Sequence, residues 1–232
     1  MCPKTCHAFT GPLGGYNACT NCKSPRYDPS KPGQKVPLKQ FYTFPLGPML
    51  QAQYRTPEGA KRMQYRHELT EDLLEKLEAG NGCLDEFTDF FYGEDYLNMA
   101  RDTDNPLTDD DVFVQLSIDG AQLYRDKASD CWFFIWIIMD LSPGTRYKKK
   151  YVLPGGFVPG PEKPVNTESF LLPSFRHVSA LQKEGLKVWN GLKRKVLVPI
   201  QLVFRFWTAV SGILVVMPVG STVAFLGDTN RV

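Results

Sequence analysis

Nine consecutive residues, Cys131-Trp132-Phe133-Phe134-Ile135-Trp136-Ile137-Ile138-Met139, carry no charged group and almost no polar atom. Successive side chains on a strand point to opposite faces, so a strand made of this run has to be covered on both. A helix is the competing structure. Aromatic and β-branched residues dominate, however, and the segment bracketed by Cys131 and Asp140 has strand length. Upstream, Val112-Phe113-Val114-Gln115-Leu116-Ser117-Ile118 alternates and reads as a second strand, ending on the turn signal Asp119-Gly120. Downstream, Leu141-Ser142-Pro143-Gly144 turns the chain. Arg146 to Val158 reads as a returning third strand that ends in Gly155-Gly156 and Pro159-Gly160-Pro161. Ser174 through Trp189 reads as a helix, with Val178, Leu181 and Val188 roughly on one side, and Val196 to Phe204 as a further strand. Trp132 to Met139 is then expected to be the most buried strand. The 174–190 helix would cover one face, and the upstream helical region or the tail the other.

A chain of 232 residues can bury a real core. Its net charge of +2 hides an asymmetry. Residues 1–66 carry ten Lys/Arg against two acids, residues 67–111 two against fifteen, and residues 112–232 fifteen against eight. Basic ends suit approach to a polyanion, while an acidic middle also fits a solvated helical face. Residues 1–29 are cysteine-, glycine- and turn-rich, and residues 30–39 have linker character. Thr56-Pro57-Glu58 is a helix start with Thr as N-cap. A helix from Thr70 places Leu73, Leu74 and Leu77 on one face and stops at Gly80. Residues 85–111 combine acids with Phe87, Phe90, Phe91, Tyr92 and Tyr96, and read as short helices.

Four of the six cysteines fall in the first 22 residues, as Cys2-x3-Cys6-x12-Cys19-x2-Cys22. Two close pairs separated by a dozen residues can close a tetrahedral thiolate site on one zinc ion. Gly11, Pro12, Gly14 and Gly15 let the intervening chain fold back. His7 could substitute for one ligand, although adjacent residues rarely both reach one ion. The N-terminus opens on Met1-Cys2-Pro3-Lys4 with no charged-then-apolar leader pattern, so reduced thiols in an intracellular setting are expected. Cys83 and Cys131 have no partner at useful spacing, and Cys131 reads as a core residue.

Several blocks, in order, resemble the CACTA-type (En/Spm-like) transposase family, fungal members in particular. They begin with Cys2-Pro3 to Cys6, Phe9, Cys19-x2-Cys22 and Arg26-Tyr27. Phe44-Pro45-Leu46-Gly47-Pro48-Met49-Leu50-Gln51, Tyr54-Arg55 and Met63-Gln64-Tyr65-Arg66 follow. Leu116-Ser117-Ile118-Asp119-Gly120 is similar to the block bearing the family's first catalytic aspartate. Leu153, Pro159-Gly160-Pro161, Pro164, Asn166 and the Leu186 to Trp189 stretch, read as helix, are similar to what comes after it. The likeness covers roughly residues 1–195. It implies a mixed α+β or α/β chain in four parts: a zinc-ribbon-like module (1–29), a linker and helical region (30–111), the first half of a ribonuclease-H-like mixed sheet with a packing helix (112–195), and an apolar tail of doubtful register (196–232).

The resemblance further implies that Asp119 corresponds to a ligand of catalytic magnesium or manganese, and that DNA at transposon ends is the partner of the parent family. Two such ions about 3.5–4 Å apart clamp the attacking and leaving oxygens, and they need several carboxylates. A family member supplies a second Asp after the next strand and a Glu much further on. Here Asp228 is the only acid beyond Glu184, while Asp126, Asp130 and Asp140 do not occupy the motif positions. The expectation is a truncated transposase-derived protein, nuclear or otherwise intracellular, that keeps zinc and DNA contact, with an intact transposase as a further candidate partner, but has lost metal-dependent strand transfer. Two alternatives stay open: a non-enzymatic zinc and nucleic-acid-binding module, and a tail-anchored membrane protein. The second rests on residues 206–227, which are uncharged, long enough for a bilayer and preceded by Lys193-Arg194-Lys195 and Arg205.

Overall fold

The computed structural model describes residues 1–80, 82–104, 106–122, 130–160, 162–200, 202–207 and 214–216. In chain order the elements are β1 (Tyr42–Thr43), α1 (Leu46–Tyr54), α2 (Pro57–Arg62), α3 (Tyr65–Ala79), α4 (Glu94–Ala100), β2 (Val112–Gln122), β3 (Asp130–Ile138), α5 (Pro143–Arg146), β4 (Leu153–Pro159), α6 (Thr167–Glu184), β5 (Leu186–Asn190), β6 (Lys195–Ile200), β7 (Leu202–Trp207) and β8 (Leu214–Val216). The main sheet has the order β1-β4-β3-β2-β7-β8, and β5 with β6 forms a separate two-stranded sheet. β2, β3 and β4 are an antiparallel meander, whereas β7 joins β2 in parallel, with Val112 opposite Leu202 and Leu116 opposite Phe206. A parallel neighbour needs a crossover connection, and α6 lies within it.

The apolar run forms a strand that is covered on both faces, as its alternation requires. On one face Phe134, Trp136 and Ile138 join Val112, Val114 and Leu116 against α1, the β5 residues Leu186 and Val188, and the α6 residues Leu171, Phe175 and Val178. On the other, Ile135, Ile137 and Met139 join Phe113 against Leu73 and Leu77 of α3 and against Phe91, Tyr96 and Leu97. The result is three layers around a mixed sheet. Burial is not uniform along β3, since Cys131, Trp132 and Phe133 are only half-buried. The first half of β2 is the better-covered strand, with Val112, Val114 and Leu116 fully inaccessible. Cys131, half-buried, is thus not a core residue.

Several boundaries differ from the sequence reading, each for a local reason. β2 does not end at Asp119-Gly120 but runs on to Gln122, paired with β3 throughout. Gly120 serves as a gap for the indole of Trp132, which lies 3.0 Å from where a Cβ would sit. The third strand starts at Leu153, because Pro143 opens the short helix α5 and Arg146 turns into the interior. The last helix begins at Thr167, capped by Asn166, whose side-chain oxygen accepts from Ser169 N–H at 2.9 Å. It stops at Gly185, which takes φ +72°, so Leu186–Asn190 is a strand and not helix. The single strand expected over Val196 to Phe204 is two, β6 and β7, in different sheets. Asp126, Pro161, Asp228 and most of 206–227 lie outside the described residues. Where 206–227 is described, it is strand, and among the described residues no helix is long and apolar enough to cross a membrane.

Gly155 and Gly156, expected to close the third strand, sit inside β4 where the ladder to β3 shifts register. A Cβ on Gly156 would lie 2.4 Å from two ring carbons of Phe134 and 2.6 Å from the Tyr42 carbonyl. Gly156→Ala is therefore expected to lower stability by about 3 kcal/mol. Gly144→Ala, whose Cβ would meet nothing within 4 Å, should change it by no more than about 0.5 kcal/mol. Denaturant titration of the two variants checks the difference.

Candidate metal centre

Residues 1–29 fold as two matching turns around four thiols. In the first, Cys2 N–H donates to His7 O at 2.9 Å; in the second, Cys19 N–H donates to Ser24 O at 2.8 Å. The same closure is thus reached despite unequal Cys-x3-Cys and Cys-x2-Cys spacing. Thr5 and Lys23 absorb the tight curvature with φ of 58° and 60°. The Sγ atoms of Cys2, Cys6, Cys19 and Cys22 all lie within 4.8 Å of one another, with Cys2 and Cys22 3.4 Å apart. Tetrahedral zinc with Zn–S near 2.3 Å requires sulfurs about 3.8 Å apart. The four cysteines could therefore bind one structural zinc ion with sub-ångström adjustment. Among the described residues this is the single group able to hold a metal.

Electrostatics in the cluster are uneven. Burial pushes the Cys2 and Cys6 thiols up. Ser24 Oγ lies 3.2 Å from Cys22 Sγ, and its hydroxyl favours the thiolate, pulling Cys22 down to about 6. A divalent cation bound here would deprotonate the remaining thiols, since thiolate is the ligating form.

His7 is not among the thiols' partners. Its Nε2 accepts from the Thr20 amide at 3.2 Å, which leaves Nδ1 to donate to Ala8 O at 3.0 Å. The imidazole is buried and ties one turn to the other. Sequence reasoning missed this role because Thr20, within Cys19-x2-Cys22, becomes its partner only when the two turns meet.

The module is docked on α6, and the reason lies in a proline. Pro173 inside α6 has no N–H to give to the Ser169 carbonyl four residues earlier. The Thr10 hydroxyl donates to that carbonyl instead. Beside it, Ala8 N–H donates to Ser169 Oγ at 2.8 Å and Asn166 N–H to Cys6 O at 2.8 Å. Lys39 Nζ reaches Pro3 O, Thr5 Oγ1 and Gly160 O at 3.2, 3.2 and 2.6 Å, which staples the module to the end of β4. Met1 and Ala8 pack with Val158 and Phe170 beneath it.

Asp119 stands apart from this centre. It is exposed on β2, opposite Phe133, and its Oδ1 accepts from Gly120 N–H at 2.7 Å. Among the described residues Asp119 belongs to no group of three or more His, Cys, Asp or Glu side chains able to hold a metal ion. Asp140 is far along the meander, buried and bonded to Arg66 Nε at 2.8 Å and to Phe113 N–H at 2.6 Å. The chain following β7, residues 208–227, contains no acid in its sequence. No family model, curated protein or solved structure matches the chain.

Proposed function

We propose that the chain is a transposase-derived DNA-binding protein that has lost strand transfer, with Cys2, Cys6, Cys19 and Cys22 holding one structural zinc ion. The observation that carries this reading is the sheet order. Three antiparallel strands, a helix and, after the β5–β6 hairpin, a strand laid parallel beside the first support a reading as the opening of a ribonuclease-H-like domain, with Asp119 on β2. In such a domain the strand corresponding to β7 leads to the second carboxylate, next to the first. Here that stretch is acid-free, and one carboxylate cannot hold two metal ions. The ordered sequence blocks over residues 1–195 and the cysteine module fixed on α6 support the same origin. An intact transposase at the same DNA is a second proposed partner.

The experiment is direct. Zinc-loaded protein should shift a DNA duplex in a mobility assay, yet leave supercoiled plasmid unnicked with magnesium or manganese. Absence of any shift would remove DNA as the partner. Nicking that vanishes in Asp119→Ala would show that a working metal site is present.

A further inference from the structure

The turn after α5 carries Lys148, Lys149 and Lys150, all exposed, followed by Tyr151. Lys61 and Arg62 arrive from the C-terminal end of α2. The Tyr151 ring joins the two segments, with the Arg62 guanidinium 5.3 Å from its centroid and Lys150 Nζ 5.5 Å from it. Among the described residues, none of these five cations has a carboxylate within ion-pair distance. A cleft of about 410 Å³ opens beside Lys61 and Arg62, lined also by Tyr65, Ser142 and Thr145. Glu58 and Glu68 also line it and balance Lys61 and Arg62 there, so the excess positive charge of this surface, three over the two acids, comes from Lys148, Lys149 and Lys150. α5 and the lysine turn follow the end of β3, which pairs with Val114. Asp119 is five residues along β2 from Val114, roughly 17 Å at a strand's rise.

We infer that this surface grips the phosphate backbone of duplex DNA and anchors the chain at the pole of the sheet remote from Asp119. The inference rests on the DNA-binding reading above and adds the place of contact. Five like charges gathered by the fold repel one another until a polyanion neutralises them, and each neutralised phosphate releases counterions. Cations from two separate segments spread that charge over an area, as successive phosphates on a rigid duplex require. Contacts of this kind position the protein without reading sequence.

The test is binding of the full zinc-loaded chain to a short duplex of arbitrary sequence, followed by fluorescence anisotropy across a salt series. Replacing Lys148, Lys149 and Lys150 together by Gln should reduce the slope of log K against log salt by about 3, one per lost phosphate contact. Affinity should weaken alike for unrelated sequences, with the melting temperature unchanged because the turn is exposed. A wild-type chain that does not bind duplex overturns this inference and the DNA reading together. Wild-type binding with an unchanged slope in the triple variant overturns the surface alone. Loss of binding to phosphatidylserine vesicles, with duplex binding intact, would assign the surface to a membrane and also overturn it.

Discussion

Purified protein should contain one zinc per chain, and Cys19→Ser combined with Cys22→Ser should abolish it while lowering the melting temperature by roughly 10 °C. Structural zinc sites contribute their binding energy to folding. The module has little apolar core of its own, because beside Cys2, Cys6 and Cys19 its buried apolar residues are Met1, Ala8 and Phe9. Its loss should not stop at residue 29. Without the module Phe170 and Val158 lose their cover, at about 1.5–3 kcal/mol per large side chain. Ser169 O, left without a helical donor by Pro173, loses the Thr10 hydroxyl as well. Far-UV circular dichroism should retain the sheet and helix signal, since both principal core clusters lie elsewhere. Metal analysis and mass spectrometry decide the matter. Metal-free protein with native stability, or disulfides among the four cysteines, would refute the centre.

How far the sequence could be read depended on the range of the interactions involved. β2 and β3 were legible because alternation and an unbroken apolar run are local signals. The thiol cluster was legible because its ligands come as two short pairs. The end of α6 was misread because Val178, Leu181 and Val188 satisfy a helical period, while the stop signal at Gly185 is a single residue. Asp119-Gly120 was misread as a turn because the reason for the glycine, the Trp132 ring, lies on the neighbouring strand. The docking of the module was invisible, since Ala8 and Ser169 meet across 161 positions. The lysine run 148–150 was visible as composition, yet its union with Lys61 and Arg62 depends on Tyr151 between them. The two arginines that hold the acidic segment to the sheet were equally hidden, being far from their partners in sequence.

Asp89→Ala should destabilise the protein by about 3–5 kcal/mol, the cost of leaving a buried guanidinium without its partner. For a chain of this size that is a fall in melting temperature of roughly 6–20 °C. Arg146 and Asp89 form a bidentate pair at 2.7 and 2.8 Å with side chains 1% and 3% exposed. The geometry is fully satisfied: Arg146 Nε donates to Leu141 O at 2.7 Å, and Asp89 also accepts from Tyr65 O–H at 2.7 Å and Phe90 N–H at 2.6 Å. The guanidinium further lies 5.7 Å from the ring centroids of Tyr65 and Phe91. A neighbouring pair, Arg66 with Asp140, bonds the carbonyls of Thr108, Asp109 and Asp111. Together the pairs fasten the acidic stretch before β2 against the end of the meander. The energy resides in the partnership and not in either charge, so Asp89→Leu with Arg146→Met should recover most of the loss, to within about 2 kcal/mol of the parent. A double-mutant cycle by denaturant unfolding separates the terms. Single variants that cost under about 1 kcal/mol would mean that water reaches the pair, and that the acidic segment is held to the sheet chiefly by Phe91 and Tyr96.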